Sequence, residues 1–410
     1  MTSATFSQIS QLVKQCLRLG DQDSSLIDAS LQQLESSQIA DINEFFDKHE
    51  TELAPLLYWH LKQRGLTASL TTELRNLLQY SLCKNISRNL LLEQRLKEVL
   101  ERCSDQGIEV VLLKGASVFA SCFSFFKDAY VMADLDLLVK PVDMDRAEQV
   151  LINSGYRSTQ RIELNGWVKH SLLGPDNFTP IDLHSSLFWT GTVSNYWDYV
   201  NSDLWSASVR VSLGEVPVRL LSAEDQVAYR LVHDVIGHGY SLLLTSIARL
   251  YQFCLLIHQN RETIDWIQFL TNLRTKGTDR LLTAYMEYGR RELGLSIPSR
   301  IGPIRHDSVI DLAYLDAPVR CPARLRDAAY RASIMLLTSG LPGARRIQMW
   351  RGFIRHCIMV PLRHGRRTGL GTLKTLIYVV KVTLLQLLSL RYFINQRTCH
   401  SESGGPGYVE

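Results

Sequence analysis

Two aspartates one residue apart stand in the apolar stretch ADLDLLV, residues 133–139. Because side chains alternate along a β-strand, Asp134 and Asp136 are predicted to share one face of a strand and the neighbouring leucines the other. Two like charges on one face repel, and their burial is costly unless a cation neutralises them. The pattern therefore predicts a divalent metal held by oxygen ligands; the alternative is an edge strand with one solvated polar face.

A turn of small residues ends the apolar run IEVVLLKG, residues 108–115. Lys114 and Gly115 close this run, and Ala116 and Ser117 open a predicted helix. Small residues at such a turn let backbone N–H groups approach an anion, and the helix dipole favours a phosphate there. Any strand-to-helix turn can use a glycine, and Lys114 can simply cap the strand end, so the turn alone leaves both interpretations open.

A third carboxylate, Asp182, lies in another predicted strand, TPIDLHSSL, with His184 on the same strand face. Three strand carboxylates beside a phosphate-binding turn are the groups that phosphoryl transfer requires. Two of them can bridge a pair of Mg²⁺ ions, and the third can complete one metal site and help to activate an incoming hydroxyl. Mg²⁺ suits this chemistry because it prefers oxygen ligands and shares its coordination sphere with substrate phosphates.

The elements that must position these residues follow from periodicity and composition. Apolar residues at helical spacing predict helices before the core, and β-branched runs with glycine turns predict the core strands. Within the core, helices are predicted at 116–126 and 141–156 and a hairpin at 211–220. Five regions result: N-terminal helices at 1–106, an α/β core at 107–220, a helical region at 221–340, a basic helical segment at 341–400 and a disordered tail at 401–410.

The net charge of +4 is unevenly distributed along the 410 residues. No Asp or Glu occurs in residues 341–400, which carry many arginines and lysines. A solvated basic face is the simpler interpretation of this segment, and contact with an anionic surface is the alternative. The scattered cysteines and the absence of a secretory pattern in the first residues predict a cytoplasmic protein with reduced thiols.

Together the motifs resemble those of the bacterial family of uncharacterised nucleotidyltransferases, in the DNA polymerase β-like superfamily. The matching stretches are LLKGAS, MADLDLLV, DRAEQVLINSGY and IDLH, with looser matches on both sides. The resemblance implies an α+β fold, with a small mixed-sheet core flanked by N- and C-terminal helices. It also implies transfer of a nucleoside monophosphate from an NTP to an acceptor, with Mg²⁺ or Mn²⁺ as cofactor and pyrophosphate as product.

The resemblance also implies roles for the residues of these motifs. Asp134 and Asp136 would bind the metal, and Asp182 would be the third carboxylate of the catalytic and metal site. Residues 114–117 would bind the nucleotide, with Lys114 and Gly115 beside the triphosphate.

Four further residues are candidates for contact with the substrate or for support of the site. His184 follows the family's Asp-x-His pattern, and His170 lies in a neighbouring predicted strand; both can instead be core or rim histidines. Tyr130 stands where the family has an arginine, four residues before the first aspartate. Lys127 is the predicted replacement for that arginine.

Three functions remain open at the level of sequence. A metal-dependent nucleotidyltransferase is the leading one, with a small molecule, a protein or an RNA as the acceptor. A glycosyltransferase also uses Asp-x-Asp, but it needs a larger nucleotide-binding region before that motif, whereas helices precede this core. A weak or inactive descendant that serves as a binding or scaffold protein is the third, and Tyr130 in place of arginine favours it.

Overall fold

The computed structural model describes residues 3–19, 24–49, 51–121, 123–164, 167–187, 204–231, 233–234, 247–275 and 279–301. All of them belong to one compact unit, Met1–Val309. A second unit, Ile310–Glu410, lies outside the described residues. The predicted basic segment and disordered tail fall in that second unit.

Helices precede the sheet, as the apolar periodicity predicts. They are α1 (Ser3–Cys16), α2 (Ser24–Glu35), α3 (Ile39–Glu44), α4 (Leu53–Gln63) and α5 (Thr72–Asp105), with a π-turn at Phe45–His49 and a 3₁₀ turn at Leu66–Ser69. The hydroxyl of Thr71 caps α5 by accepting from the backbone N–H of Leu74. Leu92, Leu96 and Val99 of α5 recur at helical spacing and are buried, so the helical periodicity predicted before the core is confirmed for this helix.

Seven strands form one mixed sheet. They are β1 (Val110–Leu112), β2 (Leu135–Val139), β3 (Arg157–Leu164), β4 (Trp167–Leu173), β5 (Pro180–His184), β6 (Val209–Leu213) and β7 (Val216–Leu220). The strand order is β3-β4-β5-β2-β1-β7-β6. β2 pairs in parallel with β5 and β1 in parallel with β7, and the other neighbours are antiparallel. The prediction of a mixed sheet in an α+β chain is confirmed, as is the β6–β7 hairpin.

Strand β2 lies inside the sheet, between β5 and β1. All five of its residues are buried. The alternative of an edge strand with a solvated polar face is therefore wrong for Asp136. Asp134 precedes the first residue of β2, so the side-chain alternation predicted for both aspartates begins only at Leu135.

The remaining helices pack around and after the sheet. They are α6 (Lys114–Val118), α7 (Met144–Asn153), α8 (Leu204–Ala207), α9 (Ala223–Leu231), α10 (Ile247–Asn260), α11 (Trp266–Thr275) and α12 (Asp279–Leu293), with 3₁₀ turns at Ser124–Phe126, Pro141–Asp143 and Ser299–Ile301. Among the described residues, no helix has the length and apolar content needed to cross a membrane.

The helix predicted at 116–126 is shorter than expected, because α6 ends at Val118. The chain after it turns so that Phe126 enters the core, where its ring centroid lies 5.1 Å from that of Trp59 and 6.0 Å from that of Tyr251. Burial of this aromatic ring against α4 and α10 outweighs continuation of the helix.

His60 is a buried titratable group of α4, 6% exposed. Arg64 Nε donates to His60 Nε2 at 3.1 Å, so Nδ1 carries the proton and lies 3.1 Å from the Tyr251 hydroxyl. Burial, and then the positive charge of Arg64, lower the pKa of His60 to about 4. His60 therefore stays neutral in the folded protein at pH values where it is protonated in the unfolded chain, whose histidine pKa is about 6.5.

The free energy of unfolding should fall as the pH drops from about 6.5 to about 4, because protonation of His60 favours the unfolded chain. At about pH 5 this loss amounts to about 2 kcal/mol. Denaturant titrations of the wild type and of His60→Gln, at about pH 7.5 and about pH 5, measure it. The variant should lose about 2 kcal/mol less than the wild type between the two pH values, and equal losses would contradict the assignment.

Candidate metal centre

Asp136 is almost fully buried in the middle of the sheet, with 1% of its surface exposed. Lys114 Nζ donates to Asp136 Oδ1 at 2.8 Å, and His184 Nε2 lies 3.0 Å from the same oxygen. Asp136 Oδ2 is buried and has no hydrogen-bond partner among the described residues. A buried carboxylate oxygen without a donor is costly, so this oxygen is a natural ligand for a cation.

Pairing of β2 with β5 completes a group of three possible ligands. The parallel register aligns Asp136 with Asp182, and His184 follows two residues later on the same face. One ligand atom from each residue lies within 4.8 Å of the other two, and all three residues are buried. Two carboxylates and an imidazole at this separation could hold a divalent metal ion.

Asp134 lies at the rim of this group. It is half-buried and precedes β2, and the group of three contains His184 in its place. Burial, and then the negative charge of Asp136, raise the pKa of Asp134 to about 6. Asp136 behaves oppositely: burial opposes its charge, but Lys114 and His184 hold its pKa well below the ordinary value. The deeper aspartate is therefore the one that stays ionised.

Asp182 has its own cation. Lys169 on β4 forms an ion pair with Asp182, and the Ser171 hydroxyl donates to Asp182 Oδ1 at 2.6 Å. The antiparallel β4–β5 register places Ser171 directly opposite Asp182. Sequence reasoning missed Lys169 and Ser171; their alternation along one strand is a signal, but it gains meaning only once the pairing of β4 with β5 is known.

The turn after β1 is shaped by close packing. A Cβ on Gly115 would lie 2.5 Å from Met132 Cγ and 3.1 Å from Tyr130 Cε1, so only glycine fits there without a shift. Lys114 adopts a left-handed backbone, with φ 44°, at the start of α6. The Ser117 hydroxyl donates to the Lys114 carbonyl at 2.7 Å, and the neighbouring Ala116 is buried.

Helix α5 holds the segment that leads into β2. Asn85 Nδ2 donates to the carbonyl of Tyr130 at 3.1 Å, and Asn89 Nδ2 donates to the same carbonyl at 2.7 Å. Between these two asparagines, Arg88 Nη2 donates to the Ala133 carbonyl at 3.0 Å. Both asparagines are buried, which is unusual for this residue type unless it is hydrogen-bonded. They therefore hold in place the backbone segment that leads into Asp134 and Asp136.

Two residues predicted near the substrate are engaged elsewhere. The Lys127 ammonium pairs with Glu93 of α5 at 2.9 Å. The Tyr130 hydroxyl accepts a hydrogen bond from Arg230 Nη1 of α9 at 3.1 Å. The structure therefore does not bring Lys127 or the hydroxyl of Tyr130 into the carboxylate group, although an arginine does reach Tyr130.

His170 lies on the opposite face of the sheet from Asp182. It stands between Lys169 and Ser171 on β4, so its side chain points away from both of theirs. His170 Nε2 lies 2.7 Å from the Ser158 hydroxyl, and Nδ1 lies 3.1 Å from a carboxylate oxygen of Glu148 on α7. His170 is therefore a buried histidine on the α7 side of the sheet, and its Nδ1 lies near a carboxylate without a hydrogen bond among the described residues.

A buried group of two carboxylates and an imidazole, on adjacent strands of a mixed sheet, defines a candidate metal centre in a mixed α/β protein. Residues 45–294 match the uncharacterised nucleotidyltransferase family, and the chain belongs to that family. The resemblance to this family, predicted from the motifs, is thereby confirmed. No curated protein and no solved structure matches the chain.

Removal of the Lys114 cation should destabilise the fold, because Asp136 stays charged and buried with less compensation. Lys114→Met is expected to cost about 3 kcal/mol or more in a metal-free denaturant titration. Asp136→Asn removes the charge that Lys114 compensates. The double variant should therefore lose less free energy of unfolding than the sum of the two single losses, by at least about 2 kcal/mol. Additive single effects would show that the two charges are not coupled.

Gly115→Ala should also destabilise the fold, by about 1–3 kcal/mol, because the new methyl group meets the Met132 side chain. Met132→Ala removes the obstructing Cγ atom, but it also destabilises the fold because it leaves a cavity. Thermal or chemical denaturation of the four proteins of this cycle measures the coupling. The double variant should lose at least about 1 kcal/mol less than the sum of the two losses. A double variant whose loss of stability equals the sum of the two single losses would contradict this packing contact.

Proposed function

We propose that the chain is a metal-dependent nucleotidyltransferase, which moves a nucleoside monophosphate from an NTP to an acceptor and releases pyrophosphate. We further propose that its core is of the DNA polymerase β-like type. The observation that carries the proposal is the buried group of Asp136, Asp182 and His184 in a chain of a nucleotidyltransferase family. Carboxylates of this kind hold the divalent ions on which such transfers depend.

The residues present fit a divalent metal. Asp136 Oδ2 is a buried acceptor without a donor among the described residues, and Asp182 and His184 offer further ligand atoms nearby. These three residues would hold the ion, with Asp134 as a further carboxylate at the rim. Carboxylate oxygens suit both Mg²⁺ and Mn²⁺, whereas an imidazole ligand favours Mn²⁺ over Mg²⁺.

In the proposed reaction, an acceptor oxygen forms a bond to the α-phosphorus, and the bond from that phosphorus to the pyrophosphate oxygen breaks. Asp182 takes the proton of the acceptor hydroxyl, and pyrophosphate leaves. If a divalent ion held by these residues neutralised Asp136, the Lys114 ammonium, which now pairs with Asp136, would be available to the triphosphate beside residues 115–117. A bound metal ion supplies stabilisation of the negative charge on the attacking and leaving oxygens.

A second candidate function has an observation of its own. Lys114 and Lys169 already pair with Asp136 and Asp182, so both carboxylates are balanced without a metal. A protein that binds a nucleotide or a partner without turnover would be stable in this state. The two candidates differ in whether Asp136 is needed for transfer or only for folding.

One assay separates them. The folded protein is incubated with Mg²⁺ or Mn²⁺, each labelled NTP in turn and a cell extract as the source of acceptors. The wild type should transfer label and release pyrophosphate, and Asp136→Asn should lower the rate by at least about a hundredfold, since a metal ligand is lost. Glu163→Gln, which removes an exposed carboxylate of β3, is the matched control and should keep the wild-type rate.

The outcomes of this assay distinguish the proposed centre from the second candidate. Label transfer that survives Asp136→Asn would contradict the proposed centre. A folded wild type that binds NTP but transfers nothing with any acceptor fraction would favour the second candidate. Circular dichroism of each variant separates loss of the site from loss of the fold.

A further inference from the structure

Arg88 of α5 lies at the rim of the carboxylate group. Its Nη2 donates to the carbonyl of Ala133, the residue directly before Asp134, at 3.0 Å. Its guanidinium carbon lies 5.1 Å from the centroid of the Phe178 ring. The negative charge of Asp134 acts on the guanidinium, which is half-buried. These contacts fix the guanidinium group beside Asp134 in the absence of a ligand.

Arg88 differs from the other cations at the site. Lys114 and Lys169 each form an ion pair with a carboxylate of the group. In the described part of the chain no carboxylate oxygen lies within ion-pair distance of Arg88, and its Nε is buried without a hydrogen-bond partner. A half-buried guanidinium with an unused donor is costly unless an anion completes it.

We propose that Arg88 binds a phosphate oxygen of the nucleotide held at the carboxylate group; this inference rests on the proposed function. The planar guanidinium presents several N–H donors in a fork that matches phosphate oxygens. The described residues leave Arg88 Nε without an acceptor. Asn85 and Asn89, on the flanking positions of α5, hold the helix to the chain before β2, so the guanidinium is preorganised for the anion.

The test measures binding of ligands that differ in charge. The probes are each NTP, its diphosphate, its nucleoside and inorganic tripolyphosphate, each titrated with Mn²⁺ present. Arg88→Met keeps the apolar stem and removes the charge and donors. It should weaken NTP and tripolyphosphate binding about tenfold or more, diphosphate binding less, and nucleoside binding not at all, since only phosphate contacts are lost. Arg88→Lys should recover part of the loss, because the charge returns without the fork.

Lys84→Met is the matched control, because Lys84 is an exposed cation one turn earlier on the same helix. It should leave all affinities within about twofold of the wild type, which excludes a general effect of net charge. Mn²⁺ affinity without nucleotide should be unchanged in Arg88→Met, which excludes a collapse of the carboxylate group.

The inference and the function on which it rests fail in different ways. Asp136-dependent NTP binding that is equal in the wild type and Arg88→Met overturns the inference alone. An equal loss for nucleoside and triphosphate also overturns it, since this shows a structural role for Arg88. A folded wild type that binds neither NTP nor tripolyphosphate overturns both proposals.

Discussion

A carboxylate buried at the centre of a sheet constrains the rest of this structure. Asp136 is 1% exposed and ionised, so positive charge and hydrogen-bond donors must reach it from other parts of the chain. Lys114 comes from the turn after β1, and His184 comes from the end of β5. The turn after β1, strand β2 and the end of β5 are far apart in sequence, and they must come together for the buried charge of Asp136 to be compensated. The site and the core are stabilised by the same contacts.

Helix α5 extends this coupling beyond the sheet. Its asparagines bond to backbone carbonyls of the segment before β2, and the same segment packs against Gly115 through Met132. The turn after β1 and the approach to β2 are thereby held against one another. A shift of either would move Lys114 relative to Asp136. Such preorganisation is what a site that binds charged ligands requires.

The sequence predicted much of this arrangement from local patterns. Strand alternation and the short apolar runs placed Asp136 and Asp182 in strands, and the mixed sheet and its flanking helices follow in the structure. Contacts that depend on pairing could not be predicted. The period of two predicts which residues share a strand face, but it does not predict which face meets the site. His170 is therefore a candidate for contact with the substrate from the sequence, whereas in the structure its side chain points to α7.

Asp134 and Arg88 illustrate the same limit. The alternation rule treated Asp134 as a strand residue, but β2 begins at Leu135, because strand ends depend on neighbouring strands. Arg88 lies 46 residues before Asp134 in a long amphipathic helix, where about every other turn carries a similar cation. Only its position against Ala133 and Phe178 distinguishes it.

The central claim is that the buried group of Asp136, Asp182 and His184 holds a divalent metal, and pulsed electron paramagnetic resonance of bound Mn²⁺ tests it most directly. The wild type should bind Mn²⁺ and show a nitrogen coupling from one imidazole, and His184→Gln should lose that coupling while Asp136→Asn loses the bound ion. Mn²⁺ that fails to bind, or that binds the wild type and Asp136→Asn alike, would contradict the account.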